Sequence, residues 1–199
     1  GLRSFDPTMP EEINRILTDR LSDLLFVTEK SGMKNLDREG INPNKIYFVG
    51  NVMVDTLIKY KATAEKNSKK LDVLKLKPKQ YVLMTLHRPS NVDFPDTLKS
   101  ILESVRILAD EIPVVFSIHP RTEKKIRDYA LGDLLKPLTL LPPQPYLDML
   151  KLMTHARMVL TDSGGIQEET TILEIPCLTF RESTERPVTL EQGTNTLVG

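Results

Sequence analysis

The run Met158-Val-Leu-Thr-Asp-Ser-Gly-Gly-Ile-Gln-Glu-Glu169 carries an apolar strand into a polar, glycine-paired turn that opens directly onto a helix. The first turn of a helix has backbone N–H groups without intrahelical partners and a partial positive charge, and paired glycines let an anion approach the backbone closely. Such a turn can cradle a diphosphate. Asp162 or Ser163 could instead cap the helix, and Gly164-Gly165 could simply turn the chain. Glu168 and Glu169, one turn in, favour the cradle, because acidic side chains in dinucleotide sites accept hydrogen bonds from ribose hydroxyls.

Other reactive residue types fall at the ends of other strand-like runs. Tyr81 to Leu86 is followed by His87-Arg88-Pro89, Val114 to Ile118 by His119-Pro120-Arg121, and Pro176 to Phe180 by Arg181-Glu-Ser-Thr-Glu-Arg186. In a parallel sheet all carboxyl ends share one edge, and ligands bind in the crevice outside it. Together these clusters point to one cleft for a doubly negative ligand, neutralised by Arg88, Arg186 and helix dipoles. A lone histidine after a strand is commonly a hydrogen-bonded structural residue, and His155, inside a helical stretch, belongs in that class. The three histidines lie on separate elements, and no HExxH, paired-cysteine or Walker-type lysine motif occurs, so neither metal nor ATP chemistry is expected.

The elements that must position these groups alternate between short β-rich runs and longer helical ones, the signature of parallel α/β units. Strands are expected over Leu25 to Thr28, Lys45 to Val49, Tyr81 to Leu86, Val114 to Ile118, Leu138 to Leu141, Met158 to Thr161 and Pro176 to Phe180. Helices are expected over Val54 to Lys66, Thr97 to Glu111, Glu123 to Leu131, Tyr146 to Thr154 and Ile166 to Leu173. Near the amino terminus, Pro10-Glu11-Glu12 starts a helix whose apolar face is Ile13, Ile16, Leu17, Leu21 and Leu24-Leu25. A second helix ends near Glu39-Gly40, and a domain boundary is expected near Gly50-Asn51. The lysine-rich segment from Lys66 to Lys79 reads as a solvated connection.

Composition narrows the function classes. Lys plus Arg equals Asp plus Glu at 27 each, so no global field favours a nucleic acid or an acidic membrane. No apolar run approaches a membrane span, and the first residues lack the character of a signal peptide, so a soluble cytoplasmic chain is expected. The single cysteine, Cys177, lies in an apolar run and reads as a buried structural thiol.

Seven motifs in register carry a resemblance that spans the chain: Gly1-Leu-Arg3, Pro10-Glu-Glu-Ile-Asn-Arg15, Val49-Gly-Asn51, Thr85-Leu-His-Arg88, Pro143-Gln144, Thr161 to Glu169 and Thr184-Glu-Arg-Pro187. They resemble the non-hydrolysing UDP-N-acetylglucosamine 2-epimerases. The resemblance implies a glycosyltransferase-B-like pair of Rossmann-like domains holding a UDP-sugar between them. Residues 1–50 would be the end of the first domain, and 51–199 most of the second, without its closing helices. It implies interconversion of UDP-GlcNAc and UDP-ManNAc for surface polysaccharide precursors, by elimination of UDP to a 2-acetamidoglucal and its re-addition. Neither nicotinamide nor metal is required, and a homodimer is expected.

Carried over by position, the resemblance makes Glu11 a catalytic acid or base and His87 a catalytic residue that also contacts the diphosphate. Gln144 and Met149 match positions around the uracil, and Ser163, Gly164 and Gly165 match the phosphate loop. Arg88 and Arg186 join the substrate contacts, and Glu169 matches the ribose ligand. The structural alternatives are a first-turn charge paired with Arg15 for Glu11, and a hydrogen bond for His87. Two departures stand out: further catalytic acids of the family would precede Gly1, and Arg88-Pro-Ser-Asn91 replaces the usual Arg-Arg-Glu-Asn. The 199-residue chain alone is accordingly expected to be inactive. A hydrolysing epimerase, a UDP-sugar glycosyltransferase and a non-catalytic UDP-binding module remain alternatives.

Overall fold

A computed structural model describes residues 1–199. In chain order the elements are α1 (Pro10–Leu21), β1 (Leu25–Val27), α2 (Lys30–Arg38), β2 (Ile46–Phe48), α3 (Val52–Asn67), α4 (Lys70–Val73), β3 (Val82–Met84), α5 (Pro89–Val92), α6 (Pro95–Glu111) and β4 (Val114–Ser117). They continue as α7 (Pro120–Asp128), β5 (Thr139–Leu141), α8 (Tyr146–His155), β6 (Met158–Thr161), α9 (Gly164–Ile172), β7 (Cys177–Thr179), α10 (Val188–Glu191) and β8 (Asn195–Leu197). The expected strands form within their expected bounds. Helices α3, α6, α7 and α9 begin two or three residues earlier than periodicity indicates: the added residues are proline with polar neighbours in α6 and α7, the glycine pair in α9, and exposed Val52 and Met53 in α3, none of which extends a buried apolar stripe.

Two parallel sheets result. β1 and β2 pair alone, whereas the other six strands run in the order β5-β4-β3-β6-β7-β8, every pair parallel. The sixth strand, β8, was not expected: three residues following a Gly-Thr turn carry too short a pattern to read. From β3 outward the chain first adds strands on one side, then returns to the centre and adds them on the other. This is the doubly wound order, and its reversal lies between β3 and β6.

Successive residues of the central strands feed two cores on opposite faces, as the period of a strand requires. Tyr81, Leu83, Val115 and Val159 pack with Leu57, Ala64, Leu150 and Met153 of α3 and α8. Val82, Met84, Val114, Phe116 and Leu160 pack with Leu98, Leu102 and Ile126 of α6 and α7. Cys177 is fully buried, and burial pushes its thiol up.

Three local readings need correction. The apolar face of α1 is not buried in this chain: Ile13, Leu17, Leu21 and Leu24 are exposed, and the only buried residue of the helix is Glu12. The Lys66–Lys79 segment is more than a solvated connection, since α4 places Leu71 in the first core. Lys79 donates its N–H to the His155 carbonyl at 2.8 Å and its Nζ to those of Thr154 and Ala156, satisfying the end of α8. Arg15, finally, pairs with Glu12 at 2.7 Å and not with Glu11.

Candidate functional site

His87 follows β3 and Ser163 follows β6, so the doubly wound order puts both at the strand reversal. The two strands are tied just before they diverge. Thr85 Oγ1 and Thr161 Oγ1 lie 2.7 Å apart, and the Ser163 N–H donates to Thr161 Oγ1 at 3.0 Å. A cleft of about 210 Å³ opens there, lined by His87, His119, Gln144, Met149 and Ser163 among others. Both histidine-bearing strand ends therefore reach one cleft, with ring centroids 5.8 Å apart.

Asp162 organises the His87 side. Its carboxylate is fully buried; Oδ2 accepts the N–H groups of His87 at 2.9 Å and Arg88 at 2.7 Å and the Asn91 amide at 3.1 Å. Oδ1 sits 2.8 Å from Nδ1 of His87 and has no other partner. Burial alone would raise this carboxyl, but the imidazole and the two backbone N–H groups outweigh it and hold Asp162 below the usual carboxylate range. A carboxylate at Nδ1 fixes the proton there and leaves Nε2 as the free ring nitrogen. Pro89 begins the short helix α5, which brings Asn91 back to Asp162; Asn91 also donates to the Phe180 carbonyl at 2.9 Å.

The glycine-paired turn is a helix start without a side-chain cap. Ser163 is the N-cap but makes no cap hydrogen bond, and the N–H groups of Gly164, Gly165 and Ile166 have no acceptor within the chain. Neither glycine has a positive φ, so the pair is not there to turn the chain. Space is the reason at 164: a Cβ would stand 2.8 Å from Cζ of Arg186 and 3.1 Å from Oε1 of Glu185. Position 165 is open, with Ser163 Oγ its nearest neighbour at 4.0 Å.

Charges surround this turn. Arg186 Nε lies 3.0 Å from Glu168 Oε2, and Nη1 bonds Glu185 Oε1. Glu185 Oε2 lies 2.9 Å from Nη1 of Arg181. Burial would raise Glu185, yet its own backbone N–H and the two guanidiniums bring it down to about 2. Glu169 is half-buried beside Tyr146; burial raises its carboxyl, and burial with the Glu169 charge takes the Tyr146 phenol to about 12.

The structure thus brings His87, Gln144, Met149 and Ser163 into one cleft, with Gly164, Gly165, Glu169 and Arg186 around the adjoining start of α9. Arg88 lies behind His87, its Nε 3.3 Å from the Asp162 carbonyl. Glu11 does not line the cleft; it is exposed on α1 and makes no side-chain hydrogen bond. Sequence reasoning treated Asp162 only as a possible cap and gave Asn51 and Asn91 no role. The motifs mark Asn51 and Asp162 but not what they touch, because the partners of these residues are 71 to 117 residues distant. His155 is structural as expected, held 2.8 Å from Glu65.

A family model described as UDP-N-acetylglucosamine 2-epimerase matches residues 1–199. The chain belongs to that family. It is similar to the UDP-N-acetylglucosamine 2-epimerases of Methanocaldococcus jannaschii, at 46% identity over 206 residues, and Methanococcus maripaludis, at 43% over 206 residues. Each alignment covers 100% of this chain and 56% of the relative, so the chain spans about half the length of the curated relatives it matches. A UDP-2,3-diacetamido-2,3-dideoxy-D-glucuronate 2-epimerase of Pseudomonas aeruginosa is 41% identical over 204 residues, covering 100% of this chain and 55% of that protein. Among solved structures, the M. jannaschii UDP-GlcNAc 2-epimerase in complex with UDP-GlcNAc and UDP superposes with a TM-score of 0.92, covering 100% of this chain and 56% of that one. The wall teichoic acid polymerase TagF, 14% identical with a TM-score of 0.53 over 90% of this chain and 46% of its own, shares the fold alone. The architecture is the glycosyltransferase-B-like α/β fold of these epimerases. No helix is long and apolar enough to cross a membrane.

Proposed function

We propose that the whole protein interconverts UDP-GlcNAc and UDP-ManNAc without hydrolysis, and that residues 51–199 form most of its UDP-binding domain. Residues 1–50 would then be the end of the preceding Rossmann-like domain. The observation that carries this reading is the pairing, at the strand reversal, of an imidazole held by buried Asp162 with the uncapped first turn of α9. The diphosphate would lie on the N–H groups of Gly164 and Gly165 with Arg186 beside it, the ribose on Glu169, and the uracil near Gln144 and Met149. His87, with Nε2 free, would face the leaving diphosphate.

The chemistry follows from what such a site can stabilise. A base removes the proton on carbon 2, and its electron pair becomes the double bond to carbon 1. The carbon 1–oxygen bond breaks with its electrons leaving on UDP; re-addition with protonation from the other face inverts carbon 2. Cations and N–H donors at the diphosphate lower the barrier to its departure, and a carboxylate such as Glu11 supplies a base. The product would serve as a precursor for a surface polysaccharide, and the protein would act as a cytoplasmic homodimer. The similarity to the P. aeruginosa enzyme leaves a UDP-diacetamido-uronate as a second substrate reading.

Incubation of the whole protein with UDP-GlcNAc in deuterium oxide tests this. Both UDP-sugars should be recovered with deuterium at carbon 2. Free ManNAc with UDP would indicate the hydrolysing reaction instead, and absence of deuterium would remove the elimination mechanism. The 199-residue chain by itself should bind UDP weakly and not epimerise, because a one-walled cleft buries less ligand and excludes less water.

A further inference from the structure

Glu168 sits one turn into α9, nine-tenths buried, and each carboxylate oxygen has a fixed partner. Oε1 accepts from Asn51 Nδ2 at 2.8 Å, and Oε2 lies 3.0 Å from Nε of Arg186. Both carboxylate oxygens of Glu168 are thus engaged by side chains of distant segments, whereas its half-buried neighbour Glu169 lies against Tyr146. The Asn51 amide is itself oriented, because its Oδ1 caps α3 by accepting the Met53 N–H at 2.9 Å. Flipping the amide would lose both bonds. Asn51 stands directly after Gly50, whose φ of +77° turns the chain between the β1–β2 unit and α3.

The far end of this chain of contacts is the phosphate-facing turn. Glu168 fixes Nε and Glu185 fixes Nη1, which lays the guanidinium over Gly164, where any Cβ would collide with it. Nη2 has no protein partner and remains available to an anion on the N–H groups of α9. Two carboxylates and two guanidiniums cluster here, and desolvating them costs more than a neutral apolar cluster would. That cost is understandable where a long, rotamer-rich cation must be held in one pose before its ligand arrives.

We propose that Glu168 and Asn51 are positioning residues that hold Arg186 across the first turn of α9, linking the Gly50–Asn51 junction to the diphosphate site. This rests on the reading of that turn as the diphosphate site. Glu168 touches no substrate in this arrangement; it acts through Arg186.

The sign of one substitution separates positioning from mere neutralisation. Glu168→Gln keeps the shape and an acceptor for Asn51 but removes a negative charge beside an anion site, which by Coulomb's law alone would tighten UDP binding. A positioning role gives the reverse: UDP affinity of the whole protein, measured by calorimetry, should fall about tenfold, the size of one lost charged contact. In an Arg186→Gln background the same Glu168→Gln change should cost nothing, since nothing remains to be positioned. Unchanged or tighter binding in the wild-type background, or an equal loss in both, overturns the proposal. Should Glu168→Gln fail to fold, Asn51→Asp keeps the cap of α3 while turning the donor into an acceptor, and the same coupling with Arg186→Gln decides. An Arg186→Gln protein that binds UDP as well as wild type would instead remove the diphosphate reading itself, and the proposal with it.

Discussion

Nδ1 of His87 lies 2.8 Å from a buried Asp162 oxygen that has no other partner, so the orientation of the imidazole is set by the residue that precedes the Ser163-Gly164-Gly165 turn. His87→Ala should lower turnover by about 100-fold or more, the range of a lost acid–base group, without changing the fold. Asp162→Asn should lower turnover and also the melting temperature, because the same carboxylate holds two backbone N–H groups and Asn91. Steady-state rates and thermal melts on the two variants check this; His87→Ala turnover within twofold of wild type removes the imidazole from the mechanism.

The two glycines of the turn should behave differently. Gly164→Ala drives a methyl into Arg186 and Glu185, and overpacking of this kind costs about 1–3 kcal/mol. UDP affinity should fall as Arg186 is displaced. Gly165→Ala meets only Ser163 Oγ at 4.0 Å and should melt close to wild type. Equal thermal losses in both variants would contradict the assignment of position 164 to the guanidinium.

Adjacent glutamates on α1 have opposite surroundings: Glu11 is exposed and Glu12 is buried. Glu12 accepts the N–H groups of Ser4 at 3.1 Å and Phe5 at 2.9 Å besides pairing with Arg15, and Phe5 has a φ of 59°. Glu12→Gln should therefore destabilise by roughly 1.5–3 kcal/mol, as expected for a hydrogen-bonded charge. Glu11→Gln should leave stability unchanged and slow deuterium entry at carbon 2, since an amide cannot act as a base. Undiminished exchange would leave Glu11 only its charge at the start of the helix.

Acid should loosen the loop that carries Arg186. Glu185 titrates at about 2 in the folded chain against 4.5 for a free glutamate, so the unfolded chain binds the proton more readily. Its stabilisation is complete above 4.5 and is lost as pH falls through about 2. The melting temperature of Glu185→Gln should lie well below wild type at neutral pH and converge with it near the lower limit. A difference independent of pH would show that the ion pairs with Arg181 and Arg186 do not set the stability of this loop.

What the sequence determined by itself was whatever depends on neighbours along the chain. Apolar runs such as Val114 to Ile118 located strands, and the strand–turn–helix at Met158 to Glu169 located a helix start, whose lack of a side-chain cap only the structure showed. Motifs in register identified the family. Helix starts at Pro95 and Pro120 fell earlier than periodicity indicated, because a first turn has no apolar stripe to read. The strand order, and with it the meeting of His87 and Ser163, was decided by tertiary packing. So were the surroundings of neighbouring side chains: Glu12 and not Glu11 took Arg15, and Glu168 met Asn51 and Arg186 while Glu169 met Tyr146. Residues one apart are alike in composition and propensity, but helix geometry points them about 100° apart. Which of the two meets Arg15, Asn51 or Arg186 depends on distant segments folding beside it, and no local pattern carries that.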